Sequence, residues 1–339
     1  MKVRRFFENP RFLILYNLII FRALGLAPFS VNIRILNEEN LSAYDQAFTI
    51  SVFGRIYNII LLAFMIWLIT RNSERINIDE VPIKGELPRL VGISIPWLSY
   101  VITLVIWIMY ILRQNQMIAV ANRLHKSLKT IKMCHIEHGY YMVVVWSIYL
   151  LATINILMDK DLIEVSGRFM ILFYLIPPTV LGWMIIQYTF IIDIVRIRIV
   201  SFHDALIAIG GRVKTSEFIL TKSFIGTEAL PMILNIQKCH RDLLAICQQA
   251  GYLYAPLLLM SLFYFSIAGV YTTYFYLFPI IHHTTRKWIA AAGWFVYQFS
   301  SIFYMANRAN GLKRAVRTTP NVIHMVLDRC AMHSDIARQ

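Results

Sequence analysis

The sequence predicts an all-α membrane protein, a polytopic bundle of transmembrane helices, and three observations lead to this fold class. First, 58% of the 339 residues are hydrophobic and only 15% are charged, whereas a soluble domain is about 45–50% apolar and about 25% charged. Second, six apolar stretches reach the length of about 20 residues that a spanning helix needs. Third, the alternating segments of about ten residues that are typical of a transmembrane β-barrel are missing from the sequence.

The apolar stretch 12–29 precedes the first clear span, and its role stays open. Arg22 interrupts it, and Gly25 and Pro28 break its end. An interfacial or re-entrant helix is the preferred interpretation. A full span is an alternative, and so is a signal peptide, because the chain also begins with a basic segment.

Six predicted spans follow, each long and apolar enough to be helical in lipid. They cover 48–70, 90–112, 140–158, 169–195, 250–278 and 287–306. The pair Pro177-Pro178 is expected to kink the fourth span, because each proline removes a backbone donor. Residues 1–47 form an N-terminal segment and 307–339 a tail, so the whole chain, 1–339, is expected to be a single membrane domain.

The distribution of Lys and Arg predicts a cytoplasmic N-terminus. The formal net charge is +14, and in this orientation the cytoplasmic segments hold three times as many Lys and Arg residues as the outside segments. The tail 307–339, the loop 196–249 and the sequon Asn40-Leu41-Ser42 then lie inside, so Asn40 should stay unglycosylated. The basic charge therefore describes orientation, and no nucleic-acid partner is expected.

Two ionisable residues fall within predicted spans, and charges in such positions are often functional. Arg55 lies near the cytoplasmic end of the first span and can reach the interface. Asp193 lies near the cytoplasmic end of the fourth. They are expected either to anchor their helices at the interface or to form an ion pair with each other.

The sequence contains no nucleophile elbow, phosphate-binding glycine loop, HExxH motif or CxxC pair. We therefore predict no enzymatic activity, no cofactor and no metal site.

Aromatic residues in the outer halves of the predicted helices are the candidate ligand-binding residues. They are Trp97, Tyr100, Tyr174, Tyr271 and Trp294. One interpretation is a belt of Trp and Tyr at the membrane interface. The other is a pocket for a small organic ligand, for which Thr272, Thr273 and Gln298 would supply hydrogen bonds. Periodicity alone leaves both open.

Two segments carry patterns that are found together in one receptor family. The apolar N-terminal stretch ends in Leu24-Gly25-Leu26-Ala27-Pro28-Phe29, and an amphipathic run, Leu230–Leu244, leads through Gln249-Ala250-Gly251-Tyr252 into Pro256-Leu257-Leu258-Leu259 of the fifth span. With these segments the chain resembles the insect gustatory receptor family, within the insect chemoreceptor superfamily, in which many receptors open with a similar "LGL-PF". The resemblance extends over nearly the whole chain, and its motifs are loose apolar patterns.

The chain departs from one signature of this family. The family has Thr-Tyr, five apolar residues and Gln-Phe in a seventh span, whereas here Thr273-Tyr274 lies in the fifth span and Gln298-Phe299 in the sixth. We therefore expect the chain to lack the seventh, pore-lining span, and no pore residue can be assigned. The resemblance otherwise implies a gustatory-type chemoreceptor subunit in the plasma membrane, a tetrameric ligand-gated cation channel that binds a small tastant among the outer halves of its helices.

Three other classes of membrane protein are alternatives to this one. An insect odorant receptor of the same superfamily is the nearest alternative. A small-molecule transporter is less favoured, because the sequence shows neither internal repeats nor ionisable residues at the membrane midplane. A G-protein-coupled receptor would need an outside N-terminus and seven spans.

Overall fold

The computed structural model describes residues 10–32, 46–73, 86–129, 168–209, 229–277 and 285–331. Within these ranges the chain forms seven helices and one two-stranded sheet. In chain order the elements are α1 (Pro10–Ala23), β1 (Phe29–Val31), β2 (Phe48–Ile50), α2 (Val52–Ser73), α3 (Glu86–Leu112), α4 (Gln114–Lys129), α5 (Arg168–Ile209), α6 (Ala229–Leu277) and α7 (Thr285–Ala331).

The prediction of an all-helical protein with apolar helices of membrane-spanning length is confirmed. Four helices are long and apolar enough to cross a membrane, and these segments are Val52–Arg71, Ser94–Leu112, Leu175–Ile207 and Ile236–Tyr274. They correspond to the first, second, fourth and fifth predicted spans. The third predicted span, 140–158, lies outside the described residues. The sixth, 287–306, lies within α7, which is not among the four.

Two predicted segments begin or end differently from their predicted bounds. Residues 48–50 form strand β2, so the first span begins only at Val52. The predicted helix 12–29 ends at Ala23, and Phe29 already belongs to β1. Hydrophobicity alone could not place these boundaries, because short buried strands and buried helix segments are equally apolar.

The helices α5, α6 and α7 also extend well beyond their predicted spans. The loop predicted at 196–249 is helical up to Ile209 and again from Ala229, and the predicted tail is helical up to Ala331. These extensions pack together: the Nε2 atom of His203 in α5 lies 2.9 Å from the Oγ1 atom of Thr319 in α7. Helix contacts therefore continue where the apolar stretches stop.

The described part of helix α1 is shorter than a membrane span. Its 14 residues span about 21 Å at 1.5 Å per residue, against a hydrocarbon core of about 30 Å. After Ala23 the chain turns at Gly25, which has a φ of 74°. The interfacial or re-entrant interpretation stays a prediction, and so do its alternatives.

Strands β1 and β2 form a small antiparallel sheet in which Phe29 pairs with Ile50 and Val31 with Phe48. Asn122 of α4 caps this sheet, because its side chain donates to the Phe48 carbonyl at 2.8 Å and accepts from the Phe48 amide at 2.9 Å. The sheet is thereby attached to α4, next to the end of α3.

Helix α5 is the central helix of the bundle and packs against α2, α3, α6 and α7. Its middle is fully enclosed: Leu181, Trp183 and Met184 are at most 1% exposed. Helix α2 is peripheral, and apolar side chains such as Phe53, which is 83% exposed, point outward from it. Outward apolar side chains on helices of this length are typical of lipid contact.

Candidate functional site

The structure places the five candidate ligand-binding residues on four helices. Tyr100 of α3 is fully buried, while Trp97 of the same helix, Tyr271 of α6 and Trp294 of α7 are half-buried. Tyr174 lies on α5, and its side chain is outside the described part of the chain. The assignment of these residues to ligand binding stays a prediction.

Two aromatic pairs are formed among these residues and their neighbours. The Trp97 and Tyr100 ring centroids are 6.5 Å apart on α3, and those of Trp294 and Tyr297 are 5.8 Å apart on α7. The Tyr297 hydroxyl donates to the Pro178 carbonyl at 3.3 Å, so this ring lies between α7 and α5. Both pairs therefore occupy the bundle interior at least in part.

Gly182 of α5 provides the room for the Tyr297 ring. A Cβ atom at this position would overlap the Tyr297 hydroxyl oxygen, far inside van der Waals contact. Close approach of a ring to a glycine backbone fixes the position of α7 against α5.

Gln298 follows Tyr297 and is the most unusual polar residue in this part of the bundle. It is 1% exposed, and neither its amide nitrogen nor its amide oxygen has a hydrogen-bond partner among the described residues. Leaving a buried polar group unsatisfied costs about 1–3 kcal/mol, so such groups in native proteins usually face a water molecule or a ligand. Gln298 therefore presents one acceptor and two donors to whatever lies next to it.

The two threonines predicted beside it have a different role. The Thr272 hydroxyl donates to the Ala268 carbonyl at 2.7 Å, and the Thr273 hydroxyl donates to the Gly269 carbonyl at 2.8 Å. Such bonds to the carbonyl four residues earlier satisfy a hydroxyl within its own helix. The single proton of each hydroxyl is therefore engaged within α6, and either oxygen would contribute to a ligand as an acceptor.

A second polar region lies at the other end of the bundle, and sequence reasoning missed it. It surrounds the turn segment, residues 23–28, which connects α1 to β1. Side chains from four helices donate to its backbone carbonyls: Tyr57 to Ala23 at 2.7 Å, Trp107 to Leu24 at 2.9 Å, Asn58 to Gly25 at 2.9 Å, Gln187 to Leu26 at 3.0 Å, and Gln114 to Pro28. Irregular backbone at membrane depth is tolerated where protein groups satisfy it.

Gln187 connects the turn segment to buried tyrosines. Its amide oxygen accepts from the Tyr110 hydroxyl at 2.5 Å. The Tyr110 ring packs edge-on against Tyr254 of α6, with centroids 6.4 Å apart, and Tyr254 also packs against Tyr188 at 5.4 Å. Helices α3, α5 and α6 therefore meet the turn segment through one polar and aromatic cluster.

The two charges within the predicted spans do not pair with each other. The Arg55 guanidinium donates to the Gln114 side chain. Asp193 is 3% exposed and lies 3.2 Å from Arg196 and 3.7 Å from Arg308 of α7. The hypothesis of an Arg55–Asp193 pair is wrong, because Asp193 faces α7 and Arg55 faces the start of α4.

The sequence did contain a sign of the missed region. Asn58, Tyr110 and Gln187 lie within or beside apolar stretches, and polar side chains there need partners inside the protein. What the sequence lacked was the identity of those partners, since they are carbonyls of a non-helical segment far away in the chain.

No family model matches this chain, and no curated protein matches it either.

Proposed function

We propose that this chain is a subunit of an insect gustatory-type chemoreceptor, a ligand-gated cation channel in the plasma membrane that responds to a small organic tastant. The resemblance of the turn segment and of the entry to α6 supports this family. The finding of four apolar helices is in keeping with it. Binding of the tastant would shift a closed–open equilibrium, as any ligand does that prefers one of two states.

The proposed orientation places the N-terminus in the cytoplasm. Apart from Arg71, the described Lys and Arg side chains lie at the end of the bundle where α3 ends and α4 begins. Positive charge concentrates on the cytoplasmic side of membrane proteins. The Asp193–Arg308 contact and the β1–β2 sheet belong to this same end.

The observation that carries the proposal of ligand binding is the buried amide of Gln298. Its position beside Trp294 and Tyr297 combines aromatic surface with an unsatisfied donor and acceptor. Ligand pockets commonly consist of apolar and aromatic walls with a few polar groups that fix orientation. A tastant that carries a hydroxyl or carbonyl group would satisfy Gln298 where the described residues do not.

The test is tastant binding by the purified full-length chain, which requires no ion conduction. Thermal unfolding is measured with a panel of fructose, sucrose, caffeine and glycerol, and the most stabilising compound is then titrated against the wild type and Gln298→Leu. Loss of one or two neutral hydrogen bonds should weaken binding about 5- to 50-fold. Gln248→Leu, which makes the same change at an exposed position of α6, should bind as the wild type does.

Two results would contradict the proposal. One is the absence of any saturable stabilisation by the four compounds. The other is equal affinity in wild type and Gln298→Leu, which would show that the ligand binds elsewhere.

A further inference from the structure

The outward face of α7 changes from aromatic to basic along the helix. Phe299 and Phe303 are 41% and 69% exposed. Lys313 and Arg317 are also exposed, and each lies about four helical turns beyond one of these rings. The aromatic and basic side chains therefore share one stripe of the helix surface.

Among the described side chains, the basic part of this stripe has no acidic counterpart. Lys313, Arg314 and Arg317 make no hydrogen bond, ion pair or ring contact with any other residue that the structure describes. Residues 307–327 contain no Asp or Glu. Arg308, by contrast, faces inward to Asp193 at 3.7 Å. Three exposed cations are thus available to an external anion.

The direction of α7 brings these cations toward the aromatic part of the stripe. Side chains of an α-helix lean toward its N-terminus, which in α7 is the end that carries Phe299 and Phe303. Long cationic side chains also extend along apolar surface to reach a membrane interface. The Cα atoms of Phe303 and Lys313 are about 15 Å apart along the axis. The length and lean of the lysine side chain shorten this distance for its ammonium group, toward the thickness of the headgroup layer, about 5–8 Å.

We propose that Lys313, Arg314 and Arg317 form a binding surface for the phosphate headgroups of anionic phospholipids. The aromatic rings above them would contact acyl chains, and the cations would contact the headgroups. The inference rests on the membrane placement of α7 under the proposed function, and it does not depend on ligand binding at Gln298.

Exposed cations on α6 provide a matched comparison. Lys238 and Arg241 are exposed and adjoin the exposed Asp242, which offsets part of their charge. Lys238 and Arg241 lie N-terminal to the apolar part of α6. Because helix side chains lean toward the N-terminus, these two lean away from that apolar part. Neutralising this pair removes the same charge from the protein without touching the stripe on α7.

The experiment titrates dihexanoyl-phosphatidylserine into the purified full-length chain in neutral detergent and counts bound lipid by native mass spectrometry. A basic residue near a charged bilayer surface contributes enough that loss of two should weaken binding about 30-fold. We therefore expect this loss for Lys313→Gln/Arg317→Gln. Lys238→Gln/Arg241→Gln should stay within about threefold of the wild type, and Lys313→Arg/Arg317→Lys should retain binding, because the charges remain.

Three results would overturn the proposal. Equal weakening by the α7 and α6 pairs would show a general effect of net charge, and no weakening by either would show that the stripe does not bind the lipid. Unchanged lipid binding with a lower oligomeric state of the α7 variant in light scattering would make the stripe a contact between protein chains. Tastant binding is a separate measurement, so its failure would leave the lipid result interpretable.

Discussion

Gln187 should be among the residues that contribute most to the stability of the bundle, and its replacement by leucine tests this. The substitution Gln187→Leu keeps the side-chain size and removes both polar atoms. The Leu26 carbonyl loses a donor at 3.0 Å, and the Tyr110 hydroxyl loses an acceptor at 2.5 Å. Since Gln187 is 7% exposed, water cannot easily replace either partner.

The expected loss follows from these two orphaned groups. Each unsatisfied buried polar group costs about 1–3 kcal/mol, while side-chain hydrogen bonds between membrane helices contribute about 0.6 kcal/mol on average and at most about 1.7. The free energy of unfolding should therefore fall by about 2–4 kcal/mol, with most of the loss arising from the backbone carbonyl. Tyr110→Phe removes the hydroxyl that donates to Gln187 but leaves the bond to the Leu26 carbonyl, so it should cost less than Gln187→Leu, about 1 kcal/mol.

The assay is a double-mutant cycle in which unfolding of the purified protein is measured for Gln187→Leu, Tyr110→Phe and the double variant. Residues in direct hydrogen-bond contact show coupling energies of about 0.5–3 kcal/mol. Gln248→Leu serves as the exposed control and should change stability by at most about 0.5 kcal/mol. A loss below about 0.5 kcal/mol for Gln187→Leu would refute the role given to the turn segment, and additive effects in the cycle would refute the bond between Gln187 and Tyr110.

Three further outcomes are expected. Gly25→Ala should lose at least about 1–2 kcal/mol of stability in unfolding experiments, because Gly25 has a φ of +74° and a Cβ would lie 2.8 Å from Leu61. The control Gly251→Ala, where a Cβ meets no atom within 4 Å, should be neutral or stabilising. A larger loss for Gly251→Ala than for Gly25→Ala would contradict the structure. Asp193→Ala should lose about 1–3 kcal/mol in the same assay, because it removes the buried carboxylate that accepts from the half-buried Arg196 and lies near Arg308. Exposed Asp242→Ala should lose little, and equal losses would argue against the α5–α7 contact. With a cytoplasmic N-terminus, Asn40 should remain unglycosylated in cells, while a sequon introduced into the connection 279–284 should be glycosylated. Glycosylation of Asn40 would contradict the proposed orientation.

The apolar helices were predictable because lipid exposure leaves a strong compositional pattern. Long hydrophobic runs such as Ser94–Leu112 can be read directly from the sequence, since a spanning helix must satisfy its own backbone and present apolar side chains to lipid. Their extensions into the polar region were not predictable in the same way. The contact of His203 with Thr319 stabilises helix beyond the apolar stretches, and such contacts between distant segments leave no local pattern.

The candidate site, too, was only partly predictable from the sequence. Gln298 could be identified from the sequence as a polar residue among aromatics, but its burial without a described partner depends on how α5, α6 and α7 pack. Thr272 looked equally suitable, yet its hydroxyl donates within its own helix. The capping of the turn segment by Gln187, Trp107 and Asn58 required the tertiary structure, because each donor lies far from its acceptor in the chain.

The most direct test of the central claim is a cryo-electron microscopy map of the full-length chain in nanodiscs with the most stabilising tastant of the panel. The proposed function predicts ligand density beside Trp294, with a polar ligand atom about 2.7–3.2 Å from the Gln298 amide. That density should be absent from the map of Gln298→Leu. A map in which protein side chains occupy the space around the Gln298 amide and satisfy both of its atoms would contradict the claim.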